Sequence, residues 1–583
     1  MSDGDAFYRR NQKWLLLLLL PLCYALFFHE LGARDIWAPD EDEYVLVNIE
    51  MVRDGHWLFP TANGGPYNIK PPLFNWLGSA ISVLYGEVTE LTSRLPSAVA
   101  ATAGLFVLYL LGRMLFGHRA AWLSVLVLAT SPLYIELGRW IQIYMLSTFF
   151  LMVTLTCFAW GYTNEPRRTL AYLLMYAASG LGTLDMGPVN AVMPAIVIGA
   201  YLIAVQDLKH LRQMRIGWGL LVYLAIVAPW YVAVSLRGGY AENLLIFSNL
   251  TRFFGEFHHA RPFYYYLESA PVNFLPWLVF LPGAFYLCFA ERTRDDRSRL
   301  LLPFVWVVGL FLFFSASNTK RSAYLLPIFP ALALLVGYAL DWALLRWEDI
   351  RERRRFFTSP LSIALALGGV AAPIGAIYAA TISMEWMVIV LPISVLVLVG
   401  CGASYLLVRR ERGMQSIVAI VLLVTAVVAY GSGPWVAKRN EKKSAKAFCL
   451  RINDYLRPGE TLKTYRFSEP MYGVYTGRFI RVATDPEGLA KWFAAKEPVY
   501  VMTEEQDYLE IKDSFPLPIH IVLRAFVDDH AMRLISNVAP EAEEQPLGKA
   551  PFLRRMPAQG RAAPGSGVSA SSSGTPRRRP DGA

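Results

Sequence analysis

The sequence predicts an α-helical membrane protein with many spans, followed by a small soluble α/β domain and a disordered tail. Of its 583 residues, 55% are hydrophobic and only 17% are charged, and the mean hydropathy is +0.36. A soluble domain rarely tolerates such a composition. Apolar runs of roughly 17–25 residues, the length of a bilayer-spanning helix, recur as far as residue 431. Beyond that point, short runs with strand and helix periodicity replace them.

Windowed hydropathy predicts about thirteen transmembrane spans. The spans centre near residues 14–29, 94–116, 119–135, 143–162, 169–183, 188–205, 214–236, 273–290, 300–316, 323–345, 358–380, 386–408 and 415–431. A shorter apolar segment, Leu73–Tyr85, is predicted to be a helix lying at the membrane interface. No small-residue cleavage site follows the first span, which therefore reads as an uncleaved anchor.

The charges in the loops predict the orientation of these spans. With a cytoplasmic N-terminus, every inner loop is basic, whereas the outer connections TLDMGP and TISMEW carry no lysine or arginine. This alternation follows the positive-inside rule and explains the net charge of +9 without nucleic acid. The outer loop 30–93, the loops 237–272 and 317–322, and everything after about residue 432 are then extracytoplasmic.

The C-terminal part predicts two further regions after a transmembrane domain of residues 1–436. Residues 437–538 are predicted to form an extracytoplasmic α/β domain, with a helix over NEKKSAKAFCLRINDYL and helices over DPEGLAKWFAAK and TEEQDYLEIK. Its predicted strands are TLKTYRF, MYGVYTG, RFIRVAT, PVYVMT and IHIVLRAF. Residues 539–583 are rich in Pro, Ala, Gly, Ser and Arg, and are predicted to be disordered.

Two features of the first outer loop call for an explanation. The run PDEDEY is what a helix start looks like, because Asp40 can cap a helix whose first turn favours acidic residues. In NIKPPLFNWL, Lys70 precedes two prolines that fix an extended entry into the interfacial helix. Local structure explains each feature when it is taken alone. Two later stretches, Asn249–Trp277 and Ser315–Leu335, favour a functional interpretation instead.

Taken together, these stretches carry a resemblance to a known family. The signatures are the acidic pair Asp40 and Glu41, then G-x-W-x-x-P through K-P-P-L (Gly55–Leu73), R-P-F-Y-Y-Y (Arg261–Tyr266) and S-x-S…K-R…Y-L-L-P…P (Ser315–Pro330). Their order resembles the GT-C class of polyprenyl-phosphate-sugar-dependent glycosyltransferases, the aminoarabinose-transferase and protein-mannosyltransferase superfamily. The resemblance covers roughly the first 350 residues, and the C-terminal domain is similar only in its placement.

The resemblance implies an inverting hexosyl- or pentosyltransferase in the cell inner (plasma) membrane. Such an enzyme transfers a sugar from a polyprenyl-phosphate donor to lipid A, another cell-surface glycan or a protein, and its partners are these substrates and membrane lipids. No metal-ligand set is predicted and no cofactor is certain, although a divalent cation is left open. The implied residues are the base Asp40 with Glu41 as helper, the phosphate-binding Lys70, Arg252, Arg261, Lys320 and Arg321, and the cavity-lining Tyr44, Tyr67, Arg139, Tyr265 and Tyr324.

Local explanations stand beside these roles. The cations can simply snorkel to the membrane surface, and the aromatic residues can form an interfacial belt. Two other functions also remain open. One is a transporter or flippase of a lipid-linked sugar, which would show internal repeats and ionisable residues at mid-span. The other is a degenerate relative that binds polyprenyl phosphate without transferring a sugar.

The sequence departs from the family pattern at two places. Where the family has R-x-x-x-x-D, GRWIQIYML keeps Arg139 but has Tyr144 in place of the aspartate. Where the family has T-K-G-P, LDMGPVN has Asp185 and Met186. One carboxylate and one phosphate-facing lysine that the resemblance implies are therefore missing. Glu136, Gln142 or Asp185 could substitute, although a solvated loop acid before a Gly-Pro turn is the simpler interpretation of Asp185.

Helical geometry divides the acidic run DEDE by face. If Pro39 and Asp40 start a helix on the outer leaflet, then Asp40, Glu43 and Tyr44 share one face. Glu41 and Asp42 turn away from it, and Asp42 is predicted to be solvated. The resemblance implies Asp40 as the base, with Glu41 second, and helical geometry only places Glu43 and Tyr44 near Asp40.

Overall fold

The structure, a computed structural model, describes residues 3–237, 261–262, 264–289 and 294–540. The chain divides into two compact units. The first contains Met1–Arg34, Val47–Thr61 and Pro66–Val436, and the second contains Asp35–Leu46, Ala62–Gly65 and Ala437–Ala583. Two short pieces of the first outer loop therefore belong to the C-terminal unit, which the sequence did not suggest. The predicted disorder after residue 540 and the phosphate ligand Arg252 lie outside the described residues.

The described chain is mainly helical up to residue 431. Its α-helices there are α1 Asp3–Cys23, α2 Glu41–Asp54, α3 Leu73–Tyr85, α4 Glu90–Phe116, α5 His118–Ala129, α6 Pro132–Gly138, α7 Ile143–Thr163, α8 Arg168–Met186, α9 Val189–Ala204, α10 Ile216–Leu236, α11 Tyr265–Asn273, α12 Leu281–Phe289, α13 Arg294–Ala316, α14 Phe329–Leu345, α15 Ile350–Arg353, α16 Ser359–Ile382, α17 Met384–Arg409 and α18 Gly413–Gly431. The predicted helix Leu73–Tyr85 is present with these bounds as α3.

Many of these helices can cross a membrane. Among the described residues, nine are long and apolar enough to do so, or eleven if each of two bent helix pairs counts as one span. The two other spans that hydropathy predicts correspond to α8 and to the shorter α9. The chain is therefore a multi-pass helical membrane protein, as predicted.

Buried polar contacts fix the short helices that follow the acidic run. The Asn75 side chain on α3 donates to Asn48 Oδ1 on α2 at 2.9 Å, and Asn48 in turn donates to Ser93 on α4 at 3.4 Å. A side chain at Gly78 would place its Cβ 2.7 Å from the Asn48 amide nitrogen, so α3 can approach α2 only because this residue is glycine. These contacts hold α2, α3 and α4 in a fixed arrangement.

Two arginines fasten the end of the first span. Arg94, fully buried on α4, donates to the carbonyls of Leu31 (3.2 Å) and Arg34. Arg139 donates to the carbonyls of Leu26 (3.1 Å) and His29 (2.8 Å). Carbonyls at a helix end lack intrahelical donors, and the guanidinium groups supply them.

Two breaks in the helical bundle are joined to each other. The pair α5 and α6 bends by 66°, and the pair of helices around residue 275 bends by 110°. The Trp277 indole donates to the Thr130 hydroxyl at 2.9 Å, and both residues are buried at these breaks. Each break thereby satisfies a polar group of the other.

The second unit contains an α/β sheet, as predicted. Two-residue strands β1 Thr61–Ala62 and β2 Gly65–Pro66 precede it in the chain, and its five strands are β3 Leu462–Tyr465, β4 Ile480–Ala483, β5 Tyr500–Glu504, β6 His520–Val527 and β7 His530–Ser536. The remaining helices are α19 Pro434–Lys443, α20 Lys446–Asn453, α21 Pro470–Thr476, α22 Pro486–Phe493 and α23 Glu505–Ile511. The strand order is β4-β3-β5-β7-β6, with β3 parallel to both neighbours and β7 antiparallel to both of its own.

One predicted strand of this domain is wrong. MYGVYTG forms most of helix α21, which begins at Pro470 and is followed by Gly477 with a φ of +68°. Proline in the first turn and a left-handed glycine after the last residue are typical helix boundaries. Strand β7 was not predicted, although it pairs with both β5 and β6.

The acidic outer loop packs within the second unit. The Ile36 amide donates to the Tyr475 hydroxyl at 2.6 Å, and the Trp37 indole donates to Asn440 Oδ1 at 3.1 Å. Asp42 accepts a hydrogen bond from the Met471 amide at 3.2 Å. Farther along the loop, the Asn63 side chain donates to the carbonyl of Ile480 (3.0 Å) and accepts from its amide (2.6 Å).

Candidate active site

Lys70 lies in a segment that proline and tryptophan hold in place. Pro71 and Pro72 follow it directly, and α3 begins at Leu73. The Trp76 indole donates to the carbonyl of Trp57 at 2.7 Å, which ties α3 to the loop that leads to Lys70. The half-buried Lys70 ammonium also interacts electrostatically with Asp185 at the end of α8. The backbone around Lys70 is therefore fixed before any ligand binds.

Lys320 is positioned by two backbone carbonyls. It is only 5% exposed, and its Nζ donates to the carbonyls of Arg261 (3.2 Å) and Ser317. The Arg261 amide donates back to the carbonyl of Asn318 at 3.4 Å. A lysine ammonium has three donors, so two carbonyls leave one for a ligand. Burial lowers the pKa of Lys320, because the charged form is poorly solvated there.

Aromatic side chains lie beside Arg261 and in the segment that carries Lys320 and Arg321. The Arg261 guanidinium lies 5.8 Å from the centre of the Tyr265 ring. The rings of Tyr324 and Tyr144 are 5.6 Å apart and inclined at 57°. The half-buried Arg321 accepts, through its carbonyl, a hydrogen bond from the Tyr324 amide at 3.0 Å. The third and fourth sequence signatures thus meet, and Tyr144, which replaces the family aspartate, contacts them.

The first turns of α7 connect this group to the end of α8. Ser147 lies one turn after Tyr144, and its hydroxyl is 3.2 Å from the Met186 sulfur. Tyr144 and Met186, two of the residues at which the sequence departs from the family, therefore both lie at the start of α7, Met186 through its contact with Ser147. Helix α8 continues through Met186 and ends there, because Gly187 adopts a φ of +95° and Pro188 cannot continue the helix.

Asp185 consequently occupies the last turn of α8 rather than a loop. It is 0% exposed, so its interpretation as a solvated loop acid is wrong. Of the other two substitutes, Gln142 is buried, and its carbonyl accepts a hydrogen bond from Ser97 at 3.4 Å, whereas Glu136 lies on the short helix α6.

Two predicted cavity residues of the first unit have backbone contacts. Arg139 uses its guanidinium to hold the end of the first span, as described above. Tyr67 is buried, and its amide donates to the carbonyl of Pro60 at 2.8 Å. Their roles towards a substrate stay predictions.

The acidic run differs from its predicted geometry in two respects. Helix α2 begins at Glu41, and Asp40 precedes it with a φ of +88°, so Asp40 does not share a helical face with Glu43 and Tyr44. Asp42 is 3% exposed rather than solvated, and its carboxylate accepts a hydrogen bond from the Met471 amide. Asp40 is half-buried, and Glu41 and Tyr44 are buried. The catalytic roles of Asp40 and Glu41 stay predictions.

An apolar groove lies on the first unit beside the end of α8. Its volume is about 440 Å³. Thr183 and Pro188 line it from either side of the Asp185 turn, and Leu224, Ala228 and Val232 line it from α10. The groove was not predicted, because its residues read in the sequence only as parts of apolar spans.

A family model and two solved structures show what this chain resembles. Residues 69–232 match the family described as dolichyl-phosphate-mannose-protein mannosyltransferase. The structure of ArnT from Cupriavidus metallidurans bound to undecaprenyl phosphate is similar, with a TM-score of 0.77 at 23% identity, covering 91% of this chain and 99% of that one. The archaeal oligosaccharyltransferase AglB from Archaeoglobus fulgidus has a TM-score of 0.53 at 12% identity, covering 87% and 70%. The chain has the GT-C fold, and the predicted resemblance is confirmed.

Particular relatives carry more specific names. The undecaprenyl phosphate-alpha-4-amino-4-deoxy-L-arabinose arabinosyl transferase of Aeromonas salmonicida (strain A449) is 32% identical over 331 residues, which are 56% of this chain and 59% of that protein. The protein of the same name from Shewanella sediminis (strain HAW-EB3) is 29% identical over 340 residues, 57% and 60% of the two chains. The chain thus spans about three fifths of the length of these relatives.

Proposed function

We propose that this protein is a glycosyltransferase that moves a sugar from a polyprenyl-phosphate donor to an acceptor on the outer face of the cytoplasmic membrane. The observation that carries the proposal is the convergence of Arg261, Tyr265, Lys320 and Tyr324. Two segments that are far apart in the sequence bring cations and aromatic rings together. Cations can bind the phosphate of a sugar phosphate, and aromatic rings can pack against its sugar. The named relatives favour a pentose donor, 4-amino-4-deoxyarabinose, and lipid A is the first acceptor to test, before other glycans and proteins.

In this proposal, the cations stabilise the leaving group. The bond between the anomeric carbon and the phosphate oxygen breaks, and a polyprenyl phosphomonoester leaves with one more negative charge. Lys320 offers its remaining N–H to that charge from a fixed position, and Lys70 adds a second ammonium. Such fixed charges lower the barrier because they require no reorganisation as charge develops. The apolar groove beside α8 suits the isoprenoid chain of the donor.

The acceptor hydroxyl or phosphate needs a base, and we assign this role to Asp40. The acceptor oxygen attacks the anomeric carbon from the side opposite the phosphate, which inverts the configuration, and its proton passes to the Asp40 carboxylate. Glu41, the neighbouring acid, assists. The proposal includes a cytoplasmic N-terminus, because the basic loops then face the cytoplasm.

A transfer assay tests the proposal. Full-length protein in lipid nanodiscs receives labelled undecaprenyl-phosphate aminoarabinose and lipid A, and we expect labelled lipid A. Asp40→Asn should lower the rate by about 10²–10⁴ while the donor still binds, because removal of a positioned base costs that much. Asp454→Asn, a change at an exposed acid of the second unit, is the control and should be neutral.

Two outcomes would contradict the proposal in different ways. Donor movement across a sealed bilayer without any transfer would favour a flippase. Tight donor binding with neither transfer nor movement, for every acceptor offered, would favour a degenerate relative. Normal turnover in Asp40→Asn would remove the base assignment alone.

A further inference from the structure

Asp185 is a buried carboxyl group that the protein itself does not satisfy. It is 0% exposed, and neither of its oxygens has a hydrogen-bond partner among the described residues. A buried carboxylate without hydrogen bonds is costly, so such a group calls for an explanation. The cost is reduced, because Lys70 interacts electrostatically with this carboxyl from beyond hydrogen-bonding distance.

A second unsatisfied group lies against the same end of α8. Asn190, near the start of α9, is 2% exposed, and neither its amide oxygen nor its amide nitrogen has a partner within the described ranges. Its side chain lies against α8 at Gly182, where a Cβ would be only 2.2 Å from Nδ2. Gly182 is three residues before Asp185. The Asn190 amide therefore packs against the turn of α8 that precedes the Asp185 carboxyl.

The chemistry of these groups defines what would satisfy them. A carboxylate only accepts hydrogen bonds, and an amide both donates and accepts, so together they suit a group that donates to Asp185. The ammonium group of Lys70, which interacts with Asp185, can also attract an anion. A molecule with a phosphate at one end and a hydroxyl or ammonium group a few bonds away matches both requirements, and a glycosyl phosphate is such a molecule.

We propose that Asp185 and Asn190 recognise a hydrogen-bond-donating ring substituent of the donor sugar, while Lys70 binds its phosphate. The inference rests on the proposed transferase function and makes Asp185 a specificity-determining residue. The substituent is an ammonium or a hydroxyl group, both of which can donate to the carboxylate. The ammonium is favoured, since it supplies the positive charge that keeps the buried Asp185 carboxyl ionised when Lys70 is engaged by phosphate.

The test compares two donors that differ at one ring position. Undecaprenyl-phosphate 4-amino-4-deoxyarabinose and undecaprenyl-phosphate arabinose are titrated onto full-length protein in nanodiscs, with undecaprenyl phosphate as the sugar-free reference. The dissociation constants are measured for wild type, Asp185→Asn and Asn190→Ala. Where transfer is active, kcat/KM for each donor is measured as well.

We expect Asp185→Asn to weaken binding of the amino sugar donor by about 10–100-fold, the usual loss for a charge-assisted hydrogen bond, and the hydroxyl donor by less. Binding of sugar-free undecaprenyl phosphate should change little in the same variant. A smaller loss in the same direction is expected for Asn190→Ala, which tests the site even if Asp185→Asn does not fold. An equal loss for both sugars would identify hydroxyl-type recognition.

Unchanged binding of both sugar donors in the two variants would overturn the inference and leave the proposed transfer intact. An equal loss for the sugar-free reference would also overturn it, because Asp185 would then act only by orienting Lys70. If wild type transfers no sugar, the proposed function fails, and the dissociation constants still decide whether Asp185 reads the sugar.

Discussion

Lys320 shows how the backbone can prepare one side chain for a ligand. Its ammonium is held by the carbonyls of Arg261 and Ser317, which come from two separate segments. The carbonyl oxygens orient the group but do not neutralise it, and burial makes its charge less stable than in water. A bound phosphate would restore that lost solvation, so anion binding and protonation of Lys320 should be linked.

Donor affinity should therefore depend on pH through Lys320. The pKa of this lysine lies below its ordinary value of 10.5. The donor affinity has its full value below the lowered pKa of Lys320. As the pH rises through that pKa, the affinity falls by roughly 10–100-fold, because a charge-assisted hydrogen bond is lost. With undecaprenyl-phosphate arabinose as the ligand, the donor is a phosphodiester with one fixed charge and no amine, so its own titration does not interfere. Equilibrium binding from neutral to alkaline pH measures the effect.

Arginine keeps its charge over this range, so Lys320→Arg should bind without the alkaline decline. Lys442→Arg, at an exposed lysine paired with Asp529, is the matched control and should retain it. A decline that is identical in all three proteins would show that another group titrates.

At the scale of single residues, the sequence identified charged side chains but did not predict how deeply each one is buried. Lys70, Arg261 and Lys320 were singled out because their motifs are ordered along the chain, and the structure brings the segments of Arg261 and Lys320 together. The burial of Asp185 could not be predicted, because α8 runs to Met186, past the end of the apolar run, before Gly187 stops it. Asn190 was missed, and its only signal was a single amide at the start of the apolar run after Gly-Pro.

Among the helices and strands, α21 depends on a carboxylate from a distant segment. Pro470 has no amide hydrogen, and Glu469, at the cap position, makes no side-chain hydrogen bond to the helix. Asp42 accepts from the Met471 amide instead and supplies the missing cap. An acid that the sequence assigned to solvent thereby stabilises a helix more than four hundred residues later.

Removing this cap should loosen α21. Asp42→Ala is expected to cost about 1.5–3 kcal/mol locally, because a hydrogen bond to a buried charge is lost. Hydrogen exchange of the Met471 amide, followed by mass spectrometry of the full-length protein, should accelerate accordingly. Asp454→Ala, which removes an exposed ion pair with Arg451, should leave this exchange unchanged. Equal protection in Asp42→Ala would mean that the cap contributes nothing.

Element boundaries followed local chemistry wherever the chain provided it. The bounds of α3 were predicted because Pro72 and Gly86 enclose an apolar run. The strand predicted for MYGVYTG was wrong because β-forming tyrosines and valine outweighed Pro470 and Gly477 in that interpretation. Strand β7 was missed because its polar and basic residues conceal the alternation that pairing with β5 and β6 makes visible.

For the whole molecule, the sequence predicted the class and the fold, because apolar length and loop charge are global properties. It could not predict that Asp35–Leu46 and Ala62–Gly65 belong to the compact unit of the C-terminal domain. Such membership arises from individual contacts, such as those of Ile36 and Trp37, that no periodicity encodes.

The orientation of the whole chain is testable by reporter fusions. A reporter placed after Arg410 should be active only in the cytoplasm, and one placed after Lys442 only outside it, because α18 separates them. Paired enzymatic reporters that function on opposite sides of the membrane measure this directly. The same side for both fusions would overturn the positive-inside assignment, and with it the shared compartment of the signatures.

The Asn63 side chain has a consequence for solubility. Strand β4 forms one edge of the five-stranded sheet, and an open edge invites pairing with a strand of another molecule. The Asn63 amide occupies both the N–H and the C=O of Ile480, and so takes the place of a peptide group in a neighbouring strand. The turn between β1 and β2 in the outer loop thus protects the edge of β4 from pairing with another molecule. In a fragment that starts at Ala437, that edge is open.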